Sequence, residues 1–89
     1  MPKRDFSYDR FTGVNPKASA QCAMQVLTSL QNYPPEVQAA GLAVAYANLL
    51  DHYGLHPGTA MQVANNLLAR ERHTTPELRA VVMYIEKEL

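Results

Sequence analysis

The chain has 89 residues, a formal net charge of zero at neutral pH and only 18% charged residues, which bounds it to one domain and sets its charge share below the roughly 25% of an average soluble domain. With no net field, nothing global favours nucleic acid, an anionic lipid surface or a basic partner. Its single cysteine, Cys22, excludes an internal disulfide, and its longest apolar run, Ala39 to Ala47, is too short to span a bilayer.

Residues 1–15 differ from the rest. Lys3, Arg4 and Arg10 are interleaved with Asp5, Asp9 and the aromatics Phe6, Tyr8 and Phe11. Phe6 and Tyr8 alternate with polar residues, as in an extended segment, and no hairpin partner exists in the sequence. The expectation is an irregular, extended or disordered arm that either lays Phe6 and Phe11 on the helices or reaches another chain. Met1 to Asp5 precede no apolar run, so a signal peptide is not expected. A reducing, cytoplasmic location follows by default.

Residues 16–89 read as one helical domain. Asn15-Pro16 is an N-cap followed by a proline that tolerates the first helical position. The first helix should run to Leu30 or Gln31, with Ala20, Ala23, Leu27 and Leu30 as its apolar stripe. Gln21, Gln25, Thr28 and Asn32 make an opposite face that is polar but uncharged. Cys22 sits beside Ala20, Ala23 and Met24, where a buried inert thiol is the usual reading.

Asn32-Tyr33-Pro34-Pro35 ends that helix and starts the next, which should span Pro35 to Tyr53. Its centre, Ala39 to Ala47, is apolar on every side, the pattern of a bundle's buried middle. Leu42, Tyr46, Leu49 and Tyr53 form one stripe, and Val37, Gly41, Val44 and Ala45 a flatter one that another helix can approach closely. Gly54 suits the left-handed end position. A third helix from Pro57 or Thr59 to about His73 buries Ala60, Val63, Ala64, Leu67 and Leu68, and shows Thr59, Gln62 and Asn66 on a neutral stripe. A fourth starts at Thr74-Thr75-Pro76-Glu77, where Thr74 with Glu77 fits a capping box and Thr75 with Pro76 fits an N-cap. Leu78, Val81, Val82 and Ile85 form its buried stripe. The fold class is therefore all-α: a small antiparallel bundle of about four helices with an irregular N-terminal arm.

Between Ala18 and Ala69 the only charged residues are Glu36 and Asp51, with no lysine or arginine. A chain of this length buries only about 60–65% of its unfolded surface, so it cannot hide all the apolar residues of that middle. Interface cores are depleted in charge in the same way. The residues expected to touch a protein partner are Phe6, Tyr8, Phe11, Gln21, Gln25, Gly41, Val44, Ala45, Tyr46, Gln62 and Asn66. A homodimer is the simplest form, since a two-fold interface needs one self-complementary patch.

Other chemistry is weakly represented. His52 and His56 lie four apart beside Asp51, but Gly54 and Pro57 break the helix around them, so they read as helix-end and loop histidines rather than metal ligands. The second helix, the Gly54 turn and the third helix resemble a helix-turn-helix. A DNA-binding alternative would use Gln62 and Asn65 on base edges and Arg70 and Arg72 on phosphates. There is no nucleophile–base spacing, phosphate-cradling loop or cofactor fingerprint. No catalytic residue, cofactor or metal is expected, and the chain reads as a non-enzyme.

The runs Tyr33-Pro34-Pro35-Glu36-Val37-Gln38, Tyr53-Gly54-Leu55-His56-Pro57 and Val63-Ala64-Asn65-Asn66-Leu67-Leu68 resemble small helical accessory proteins of tailed bacteriophages. Some proteins of that kind bind a host protein and modulate or inhibit it, and others are small virion or assembly components. The resemblance implies a partner-binding role in the host cytoplasm and transfers no catalytic residue.

Overall fold

The computed structural model describes residues 6–89. They form five α-helices and no strand: α1 (Tyr8–Thr12), α2 (Pro16–Thr28), α3 (Pro35–Tyr53), α4 (Pro57–Glu71) and α5 (Pro76–Glu88). The all-α class holds, with five helices in place of about four.

The extra helix lies within the stretch expected to be irregular. Ser7 is extended, and its side chain accepts from the Arg10 backbone N–H at 3.2 Å. Asp9 sits in the first turn, and the Gly13 N–H closes the end on Asp9 and Phe11 carbonyls. Local cap chemistry outweighs the polar–aromatic alternation there. The arm's aromatics fold back: Phe6 meets Phe11 with ring centroids 5.6 Å apart and stacks on Tyr53 at 5.1 Å. Lys3, Arg4 and Asp5 lie outside the described residues.

Asn15 Oδ1 accepts from the backbone N–H groups of Lys17 and Ala18 at 2.9 and 3.1 Å, with Pro16 in the first turn. Two of α2's otherwise orphaned donors are thereby paired. The helix stops at Thr28, short of the expected Leu30. The Ser29 hydroxyl donates back to the Val26 carbonyl at 2.6 Å and the chain tightens into turns through Tyr33. Gln38 then bridges the joint: its amide nitrogen donates to the carbonyls of Leu30 (2.8 Å) and Tyr33 (2.9 Å), tying the start of α3 to the turn after α2.

At the other end of α3, Gly54 takes φ 66°, the left-handed region, and Leu55 N–H reaches the Leu50 carbonyl at 2.8 Å. This end pairs carbonyls that the helix leaves open. His56 caps α4, its Nδ1 accepting from Gly58 N–H at 2.9 Å. α4 ends at Glu71, two residues before the expected His73. The reason is the corner itself: Thr74 and Thr75 both donate backbone N–H groups to the Glu71 carbonyl and both hydroxyls to Glu71 Oε2 at 3.0 Å. Thr75 is the cap residue of α5 and Pro76 follows it, as the second start signal places them, but the Thr75 side chain accepts no hydrogen bond from the helix. The expected capping box does not form, because the Thr74 hydroxyl points to Glu71.

The core is small. Ala20, Leu78 and Val81 are buried where α2 lies on α5, flanked by Ala23, Met24 and Leu27 of α2 and Leu67 and Leu68 of α4. Leu50 and Ala60 are buried separately on α3 and α4.

Candidate protein-docking surface

α3 is not the buried centre that its composition suggested. Of its 19 residues only Leu50 is buried, while Gln38, Tyr46 and Tyr53 are half-buried. Leu42, Val37, Leu49 and Val44 keep 40%, 49%, 50% and 62% of their surfaces exposed. The physical reason is competition for a limited core. α2 and α5 pack chiefly on each other, and α3 meets α4 through a much smaller contact. Apolar composition made α3 fit for burial, but the other helices leave it no covering layer.

Its inner side overhangs an open apolar trough. One section, about 720 Å³, lies between Leu42 and Tyr46 of α3 and the wall formed by Ala18, Cys22 and Val26 of α2 with Val81 and Ile85 of α5. Phe11 and Val14 also line it. A second section of about 310 Å³ shares Leu27, Leu42 and Ile85 and continues along Pro35, Gln38 and Ala39. The lining is almost wholly carbon, so it can bind by excluding water from another apolar surface. Along the opposite side of α3, Val37, Ala40, Val44 and Ala47 recur three and four residues apart and are all exposed.

The trough gathers Phe11 and Tyr46 among the residues expected from sequence. Gly41, Val44 and Ala45 lie exposed on α3 outside its lining, and a Cβ on Gly41 would meet no atom within 4 Å. Gln21 and Gln25 are exposed on α2 and line none of these cavities. Tyr8, Gln62 and Asn66 instead join Arg70, Thr12 and Thr59 around a separate polar cleft of about 230 Å³ between α1 and α4. Arg70 Nε turns back there to the Asn66 carbonyl at 3.4 Å. Asn65 and Arg72 are exposed and lie outside the cleft.

Cys22 corrects an expectation. It is exposed in the trough, not buried. Ala18, Cys22 and Val26, each four apart, form a second stripe beside the Ala20–Leu27 one. That spacing was the available signal for the trough wall. Leu42 and Ile85, expected to be buried, are also part-open along its edge.

His52 sits edge-on to Tyr53 with centroids 5.1 Å apart, and His56 Nδ1 is engaged in the α4 cap. Among the described residues no group of three His, Cys, Asp or Glu side chains is placed to hold a metal, and no helix is long and apolar enough to cross a membrane. Comparison with protein families, curated proteins and solved structures gives no match to this chain.

Proposed function

We propose that this chain is a non-enzymatic protein-docking module whose contact surface is α3 with the trough it overhangs. The observation that carries this is α3 itself: apolar on every side across its centre, yet largely uncovered. Monomeric soluble proteins rarely leave a contiguous apolar patch larger than a few hundred Å² open to water. A helix laid into or across such a surface is a common recognition mode. Docking would complete the antiparallel bundle that the short connections imply, with α3 as its middle layer.

The partners are another copy of the chain and, on the resemblance to tailed-phage accessory proteins, a host protein that it modulates or inhibits in the cytoplasm. A role as a small virion or assembly component would use the same surface. A photo-crosslinking side chain placed at Val44 or at Leu42 in the native cell should give covalent protein adducts. Failure to form any protein adduct from either position overturns the reading.

A DNA-binding role draws on a different surface. Gln62, Asn65, Arg70 and Arg72 are all exposed on α4 or just after it, beyond the Gly54 turn. It requires retardation of duplex DNA at low salt, lost in an Arg70→Ala, Arg72→Ala double variant, because phosphate contacts dominate affinity. No retardation of any duplex ends it.

A further inference from the structure

Resting on the docking reading, we infer that the occupant of the trough is a second copy of this chain, with the two troughs facing each other across a two-fold axis. Leu42, Val26 and Ile85 of each copy meet the same rim on the other.

The first support is area. A folded monomer of 9.9 kDa is expected to expose about 5,200 Å². This chain exposes 6688 Å². Granting residues 1–5 the full surface of an extended chain, about 900 Å², the remaining residues still exceed their expected surface by about 800 Å². A standard stable interface takes about 800 Å² from each partner. The surplus on one chain is thus the amount that one dimer contact removes.

The second support is charge. Two identical surfaces bring every like charge face to face, which penalises self-association wherever a patch is ionic. No side chain lining either section of the trough carries a formal charge. Across Ala18 to Ala69 only Glu36 and Asp51 do. A basic or acidic partner would find no charged lining side chain to pair with, whereas another copy brings no like-charged lining side chains together.

The third is shape. Both walls of the trough end in part-exposed apolar side chains: Leu42 (40%) on α3, and Val26 (38%) and Ile85 (45%) on α2 and α5. An isologous contact uses one patch on both copies, so each of these side chains is covered twice over the pair.

Cys22, the chain's single thiol, lies inside the trough and reports on its cover. Sedimentation equilibrium of the purified full chain at tens of micromolar should give twice the mass of 9.9 kDa. Alkylation of Cys22 by iodoacetamide should slow about tenfold or more between nanomolar and tens-of-micromolar protein, as the covered form takes over. Leu42→Glu and Val26→Glu should each return the single-chain mass and fast alkylation, with the helical circular dichroism retained. Should either variant unfold, the wild-type alkylation series decides alone. A single-chain mass up to a few hundred micromolar, or an oligomer whose Cys22 reacts equally fast at every concentration, overturns the inference. If the chain is monomeric but photo-adducts from Val44 or Leu42 go to a different protein, the docking module stands and only the second copy is lost.

Discussion

The Phe6 ring stacks on the Tyr53 ring with centroids 5.1 Å apart and planes 28° from parallel. It joins the start of the described chain to the last turn of α3 across 47 positions of sequence. Aromatic pairs of this kind contribute about 0.5–1.5 kcal/mol beyond their burial. Phe6→Ala and Tyr53→Ala should each lower the urea midpoint. The double variant should fall short of their sum by about that coupling. Strict additivity would show that the contact carries no stability.

Gln38 donates to two carbonyls from one amide nitrogen, at 2.8 and 2.9 Å. Gln38→Ala should cost about 1–2 kcal/mol, since it strands a part-buried acceptor. Gln38→Glu should cost more, because a carboxylate facing two carbonyl oxygens has nothing to donate. Native-state hydrogen exchange should show α3 amides opening sooner while α2 and α5 change less. Uniform loss of protection across all helices would contradict a local role for this joint.

Gly54 holds φ 66°, and a Cβ there would meet no atom within 4 Å. The cost of Gly54→Ala is therefore backbone strain alone, about 1–2 kcal/mol. Gly54→Asn should recover part of it, since asparagine enters the left-handed region more readily. Thermal melts of the three proteins should rank glycine, asparagine, alanine in falling order.

The Tyr84 hydroxyl is shielded from solvent with no hydrogen-bond partner among the described residues. Removing an unpaired buried polar atom relieves a desolvation penalty. Tyr84→Phe should hold or raise the unfolding midpoint, by up to about 1 kcal/mol. A clear fall would mean that the hydroxyl is paired in solution.

The starts of α2 to α5 and the Gly54 end of α3 were legible because their signals are local. Asn15-Pro16, Pro35, Gly54, Pro57 and Thr75-Pro76 each act on donors or dihedrals within a few residues, so the sequence nearby suffices. α1 was missed although Ser7 and Asp9 form a short cap signal, because the spacing of Phe6 and Tyr8 also fits an extended chain. Burial was less legible. Whether an all-apolar helix is covered depends on which others claim the core, and here α2 and α5 claimed it through Ala20, Leu78 and Val81. Two of the expected contact residues, Phe11 and Tyr46, line the trough. The glutamine and asparagine positions do not, because a neutral polar stripe marks a solvated face as readily as an interface. Cys22 was misplaced for a related reason: adjacent helical stripes differ by one position, and only tertiary packing says which one faces α5.

The cation-free middle also governs how this protein responds to proteases. Trypsin, which cuts after lysine and arginine, has no target from Ala18 to Ala69, so digestion leaves that segment in one piece however often α3 loosens. A chymotrypsin-like enzyme meets Leu42, Tyr46 and Leu49 on the open helix. Tryptic resistance of that segment therefore says nothing of the rigidity of α3, and chymotryptic cleavage at those three residues is the digestion that registers whether α3 is covered.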